Sequence, residues 1–272
     1  NDTSPYSSLY VGGGTLNAVG TAAQPIVFTS SAQVPVVGDW GGIQVGGGDS
    51  LPAARGVLHH IRLEYSNNGI YCWTDMDEDG VRSFIEIRDS TISNNSWTGV
   101  QLYGVDAVIT GSSITSNYNG IVIDGYRPFT VAINANTIAD NQYAGIECYS
   151  SSAAGRISEN TITGNGTGLR IQSPTVLITG NTIRFNTQTG LEYNVWNPID
   201  THQVTVSFNT ITDNDFIGIQ LKSNYVPVIQ YNNLHDNTYR DVESYSSSDV
   251  DCRHNWWGDA SGPQHPDDNP AG

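Results

Sequence analysis

The sequence predicts an all-β protein, a single-stranded parallel β-helix of about nine or ten coils that takes up residues 1–272 as one domain. Three observations predict it: a short motif returns every 21 to 28 residues, a Gly-led strand pattern holds a fixed place in each return, and helical periodicity is absent.

The returning motif is N-T-I-like: DSTISNN, GSSITSN, ANTIADN, ENTITGN, GNTIRFN, FNTITDN and YNNLHDN. Its apolar anchors are Ile92, Ile114, Ile138, Ile162, Ile183, Ile211 and Leu234, spaced 22, 24, 24, 21, 28 and 23 residues apart. After each anchor a strand of the form Gly-apolar-x-apolar follows, at 99–102, 120–123, 145–148, 168–171, 190–193 and 218–221. Its alternation buries one face. A third apolar pair, such as Val176 and Ile178 or Val204 and Val206, completes the unit. Three short strands per return make one coil, stacked on the next at the ordinary interstrand spacing of ~4.8 Å. Residues 40–45 and 69–72 carry the same strand in earlier coils.

Three residues after each anchor stands Asn: Asn95, Asn117, Asn141, Asn165, Asn186, Asn214 and Asn237. Asn tolerates left-handed backbone geometry and can bond backbone groups, so a stacked column satisfies turns that would otherwise bury unpaired amides. A second column, two residues before the anchor, holds Asn136, Asn160, Asn181, Asn209 and Asn232, with His254 at its next place. Both columns describe the scaffold.

Beyond these repeats, GTAAQPIVFTSS at 20–31, GDWGGI at 38–43 and NWWGDASGP at 255–263 resemble the opening coils and the closing segment of the secreted bacterial right-handed parallel β-helix proteins, the pectate-lyase-like superfamily. The resemblance implies a right-handed helix, an exported protein at the cell surface or in the extracellular space, and a closing segment at 252–272. Members usually carry a capping element before the first coils, whereas strand-like sequence here begins near Leu9, so the chain is expected to be a fragment of a larger secreted protein or to have its end covered by a neighbour. The superfamily holds lyases, hydrolases, epimerases, binders and structural proteins, and selects no reaction.

Composition narrows the partners. Eleven basic against 27 acidic residues give a net charge of −16, which repels nucleic acid. No apolar run is long enough for a membrane-spanning helix, and none opens the chain. Cys72, Cys148 and Cys252 show no C-x-x-C spacing; the first two fall in one inward column three coils apart, beyond disulfide reach, and all three read as small core residues. Strand alternation sends His59 and His60 to opposite faces, against a shared metal.

The inserted segment TDMDEDGVRSFIE, within 73–86, places Asp75, Asp77 and Asp79 at positions 1, 3 and 5, Gly80 at 6 and Glu86 at 12 of a calcium-loop pattern. Calcium wants six to eight oxygens, and alternating acids around a tight turn supply them. The expected ligands are Asp75, Asp77, Asp79, Glu86 and a main-chain oxygen at Val81, with the ion clamping the insertion.

The outward face of the Gly-led strands is where chemistry is expected. One outward column reads Gln44, Tyr71, Gln101, Val122, Glu147, Arg170, Glu192, Gln220, Glu243, and the next reads Trp73, Tyr103, Asp124, Tyr149, Gln172, Asn194, Lys222, Tyr245. Rings beside acids and amides suit a polysaccharide, whose apolar faces stack on aromatics while its hydroxyls bond polar groups. The longest insertions, 73–83, 125–130 and 194–202, lie on the same side. Trp73, Tyr103, Asp124, Tyr149 and Lys222 are the candidate substrate-binding residues. Glu147 and Glu192, about 9.6 Å apart by two strand spacings, are candidates for a hydrolase pair with Arg170 between them. The same three can form a self-neutralising ladder, and Arg170, Arg127 and Lys222 are the cations open to a uronate lyase. The alternative is a non-catalytic structural or adhesive protein that assembles end to end.

Chelation should lower the melting temperature if the 75–86 segment holds calcium; an unchanged transition in the presence of chelator would leave only a solvated acidic insertion.

Overall fold

The computed structural model describes residues 7–47, 52–74, 81–195 and 204–263. Among these the chain winds as a right-handed parallel solenoid with three parallel sheets of ten, nine and nine strands. One coil runs from a first-sheet strand (Asn119–Asp124) through a second-sheet strand (Phe129–Asn134) to a third-sheet strand (Thr137–Ala139), and then restarts one strand further along the first sheet. Nine such coils and a last first-sheet strand, Arg240–Ser244, are present among the described residues, in line with the expected number.

The isoleucine anchors stack as expected. Ile92 pairs with Ile114, Ile114 with Ile138, Ile138 with Ile162, Ile162 with Ile183 and Ile183 with Ile211, and all six are fully buried. Each such burial removes a side chain from water at a gain of about 2 kcal/mol, renewed in every coil. Cys72 and Cys148 share an inward column, separated by Leu102 and Ile123, while Cys252 is half-buried against the core. All three are free, and burial pushes the Cys72 and Cys148 thiols up to about 12.

The first Asn column is a continuous ladder. Asn165 donates its backbone N–H and its Nδ2–H to Asn186 Oδ1, at 3.0 and 3.1 Å, and a further Nδ2–H to Ile138 O at 3.0 Å. Its own Oδ1 accepts the N–H and Nδ2–H of Asn141 at 3.1 and 2.9 Å. The second column repeats the arrangement from Asn136 to Asn232.

Two expectations about these columns are corrected. The left-handed backbone belongs to the residue before each ladder Asn and not to the ladder Asn: Asn94 (φ 56), Ala135 (φ 55), Asp140 (φ 56), Glu159 (φ 57), Phe185 (φ 54), Phe208 (φ 57) and Tyr231 (φ 58). The ladder Asn must aim its amide along the axis, so the reversal falls one residue earlier, where the side chain points to solvent. His254 accordingly takes that left-handed place (φ 64) and stacks on Tyr231 at 5.4 Å, while Asn255 continues the ladder by accepting from Asn232.

The Gly opening each first-sheet strand is required by close approach. A Cβ on Gly145 would stand 2.7 Å from Gly168 O, 3.0 Å from Ile162 Cγ2 and 3.1 Å from Asn165 Nδ2. Glycine lets the coil press against the ladder at the point where the first sheet begins, and this sets the register of its outer face.

Substituting Asn165→Ala strands buried partners on three sides, and should destabilise the fold by roughly 2–4 kcal/mol in urea unfolding. A loss below ~1 kcal/mol would mean that the ladder contributes little.

Candidate functional site

The register of the first sheet aligns the outward column as Tyr10, Gln44, Tyr71, Gln101, Val122, Glu147, Arg170, Glu192, Gln220 and Glu243. All nine expected members are present, with Tyr10 added at its head. The neighbouring column starts at Trp73, Tyr103 and Asp124 and continues by backbone hydrogen bonds through Tyr149, Gln172, Asn194, Lys222 and Tyr245.

At the centre of this face Arg170 bridges two coils. Its Nη1 donates to Glu147 Oε1 at 3.0 Å and its Nη2 to Glu192 Oε1 at 3.4 Å. Lys222 Nζ donates to the other Glu192 oxygen at 2.8 Å, and the Tyr149 hydroxyl donates to Glu147 Oε1 at 2.7 Å. Glu147 is 1% exposed and Tyr149 40%, so the carboxylate lies beneath an open ring. Arg170 also bonds the Tyr143 hydroxyl and holds its Cζ 5.0 Å from that ring's centre.

Burial holds the Glu147 carboxyl above the usual glutamate range, against the opposing pull of Tyr149 and Arg170. Burial works against the Arg170 charge, but Glu192 and Glu147 more than offset it, and its pKa stands above the ordinary arginine value. Burial and the adjacent Glu147 keep the Tyr149 phenol protonated.

Tyr143 was not among the expected site residues. It ends a row of rings at the entrance of the first sheet, with Trp97–Tyr118 at 5.6 Å and Tyr118–Tyr143 at 5.5 Å. A second row, Phe216–Tyr239 at 5.2 Å, stands further along, with Arg240 Cζ 4.5 Å from the Tyr239 ring centre. An aromatic one or two residues after the ladder Asn is the signal in the sequence. Trp73 lies over Gly46, whose added Cβ would come within 2.2 Å of the indole, and is flanked by Tyr71 at 5.1 Å and Tyr10 at 5.7 Å. Tyr103 meets Tyr126 edge-on at 6.0 Å. Asp124, Tyr103 and Trp73 thus sit on the same face as the Arg170 cluster, one, two and three coils before Glu147.

The expected calcium ligands Asp75, Asp77 and Asp79 lie outside the described residues. Val81 is exposed, and Glu86 lies within the strand Phe84–Arg88, where its carboxylate meets Arg88, His59 Nε2 at 3.1 Å and Arg55 at 3.7 Å. The bond from Arg88, helped by His59, keeps Glu86 below the usual range.

A family model described as "Right handed beta helix region" matches residues 68–202. A double mutant of the periplasmic alginate epimerase AlgG superposes with a TM-score of 0.63 at 13% identity, covering 92% of this chain and 73% of that one. The A-module of the Azotobacter vinelandii mannuronan C-5 epimerase AlgE6 superposes with a TM-score of 0.52 at 16% identity, covering 88% and 71%. No curated protein sequence matches the chain. At these identities the likeness is one of fold.

The raised Glu147 pKa has a defined consequence. The folded chain binds more protons than the unfolded chain just above the ordinary value of 4.5, so stability is lost as pH rises through that window and the elevated pKa. The unfolding free energy of wild type relative to Glu147→Gln should therefore fall across that rise; a pH-independent difference would contradict it.

Proposed function

We propose that this chain, a right-handed parallel β-helix repeat protein, binds an extended polysaccharide along the outer face of its first sheet. The observation that carries it is the cluster of Tyr143, Tyr149, Glu147, Arg170, Glu192 and Lys222. Rings and polar groups are locked to one another there on a flat, outward, solvent-facing surface. Sugar faces stack on rings, and sugar hydroxyls bond to polar atoms already held in place, so little side-chain entropy is lost on binding. Trp73, Tyr103 and Asp124 extend the same track toward the start of the helix.

Binding without cleavage is the reading the geometry favours. The two carboxylates that a hydrolase would place either side of a glycosidic bond share one guanidinium, which fills the space between them. A lyase needs an unengaged base, and of its three candidate cations the two on the sheet, Arg170 and Lys222, are ion-paired, which leaves Arg127 in the connection after Asp124. One observation favours hydrolysis as a second reading: Glu147 has the burial and the raised pKa of a general acid. The fold likeness to alginate and mannuronan epimerases supports polysaccharide engagement, and the periplasmic neighbour supports a location outside the cytoplasm. Calcium is part of the proposal, with Asp75, Asp77, Asp79, the Val81 carbonyl and Glu86 as ligands; Glu86 would exchange Arg88 for the ion.

A polysaccharide panel read by both binding and product release tests this. Tyr143→Ala with Tyr149→Ala should weaken binding about 10- to 100-fold with the melting transition retained. Product release that disappears in Glu147→Gln would establish hydrolysis instead, and end-to-end assembly without any glycan bound would favour a structural protein.

A further inference from the structure

We infer that the polysaccharide is uncharged over the stretch that lies on this face. The inference rests on the glycan-binding reading above and adds the class of sugar. It comes from an inventory of charge on the first sheet. The outward column from Tyr10 to Glu243 carries one cation, Arg170, and three carboxylates, Glu147, Glu192 and Glu243. The neighbouring column carries Lys222 and Asp124.

Every one of these cations is already engaged. Arg170 lies between Glu147 at 3.0 Å and Glu192 at 3.4 Å, Lys222 sits on Glu192 at 2.8 Å, and Arg240, at the foot of the last strand, sits on Glu243. Glu243 also takes a hydrogen bond from Gln220 at 2.9 Å, and this, with Arg240, keeps its pKa below the usual range. An acidic sugar that drew Arg170 toward itself would leave Glu147, 1% exposed, without its countercharge. Removing one partner from a buried ion pair costs more than a surface contact to a uronate returns.

Among the described residues that border the sheet, carboxylates outnumber cations. Asp213, Asp215 and Asp236 stand at the turns that lead into the sheet. Arg82 and Arg127 are the remaining basic residues in the connections beyond it, the first next to the 75–80 acids and the second three residues after Asp124. A polyuronate, with one negative charge per sugar, would meet sheet cations that already hold carboxylates. A neutral chain meets hydrogen-bonding groups without a charge penalty: the amides of Gln44, Gln101 and Gln172, and the exposed Tyr149 ring.

Affinity electrophoresis of the whole chain against neutral polymers (β-glucan, mannan, xylan), a polyuronate and a sulfated polysaccharide tests this, run with chelator to remove bridging calcium and at low and high salt. Retention by a neutral polymer is expected, changing less than about twofold with salt. Glu192→Gln, which frees Lys222 and leaves Arg170 with Glu147 as its one carboxylate, should gain at least tenfold in salt-sensitive affinity for the polyuronate. Wild-type retention by the polyuronate in chelator, exceeding that by every neutral polymer, overturns the charge inference and leaves glycan binding standing. Retention by no polymer of any class, with Glu192→Gln equally inert, removes both.

Discussion

Two of the three corners of the solenoid are closed by side-chain amides that bond, along most of each column, to an identical amide one coil away. Asn141 gives to Asn165, Asn165 to Asn186 and Asn186 to Asn214, and each also reaches back to an isoleucine carbonyl of the coil before it. Because donor and acceptor are the two ends of one amide, a coil shifted by a residue in either direction leaves both unpaired in a dry interior. The straight columns of the first sheet follow from this. Arg170 can lie between Glu147 and Glu192 because the amides beneath hold three successive coils in register.

The electrostatics of the outer face rest on the same alignment. A glutamate as buried as Glu147 is tolerable beside a guanidinium and a phenol in fixed positions, and a coil out of register would leave it unpaired. The face that results is nearly closed in charge, in a chain whose net charge is −16. The protein's solubility and its recognition surface therefore draw on different residues: most carboxylates lie on turns and insertions, whereas those on the sheet are mostly paired.

Much of this was legible in the sequence, because period and alternation together assign a residue to a coil, a strand and a face. The anchors, the Asn columns, the Cys72 and Cys148 column and both outward columns could all be read from spacing alone. Features that depend on which atom of a turn carries the strain could not. The left-handed residue has no fixed identity, being Ala135, Asp140, Phe208 or His254, since its side chain stands outside the core; this is why His254 reads as a ladder member when Asn255 is one. The Tyr143 contribution was hidden for a related reason. It lies in a corner, outside the alternating strand, and reaches Arg170 across a coil through side-chain length that backbone spacing does not encode. Likewise Glu86 fits a loop pattern by number, yet the strand that contains it commits its carboxylate to Arg55, Arg88 and the His59 ring.

The Asn ladder also bears on how such a chain changes length over generations. A bond made only between like residues in adjacent coils looks the same after one coil is deleted or duplicated, as does the isoleucine stack beside it. The joint between the flanking coils is then chemically equivalent to the one it replaces. Duplication of a unit such as 160–180 would lengthen the outer track by one step and insert one new outward residue into each column, free to drift under selection while its turns are held. The interval of 28 residues between Ile183 and Ile211, beside 21 between Ile162 and Ile183, shows the complementary tolerance: extra residues enter between the first and second sheets, where no ladder runs. Such a scaffold can vary its ligand-facing surface one row at a time without renegotiating its interior.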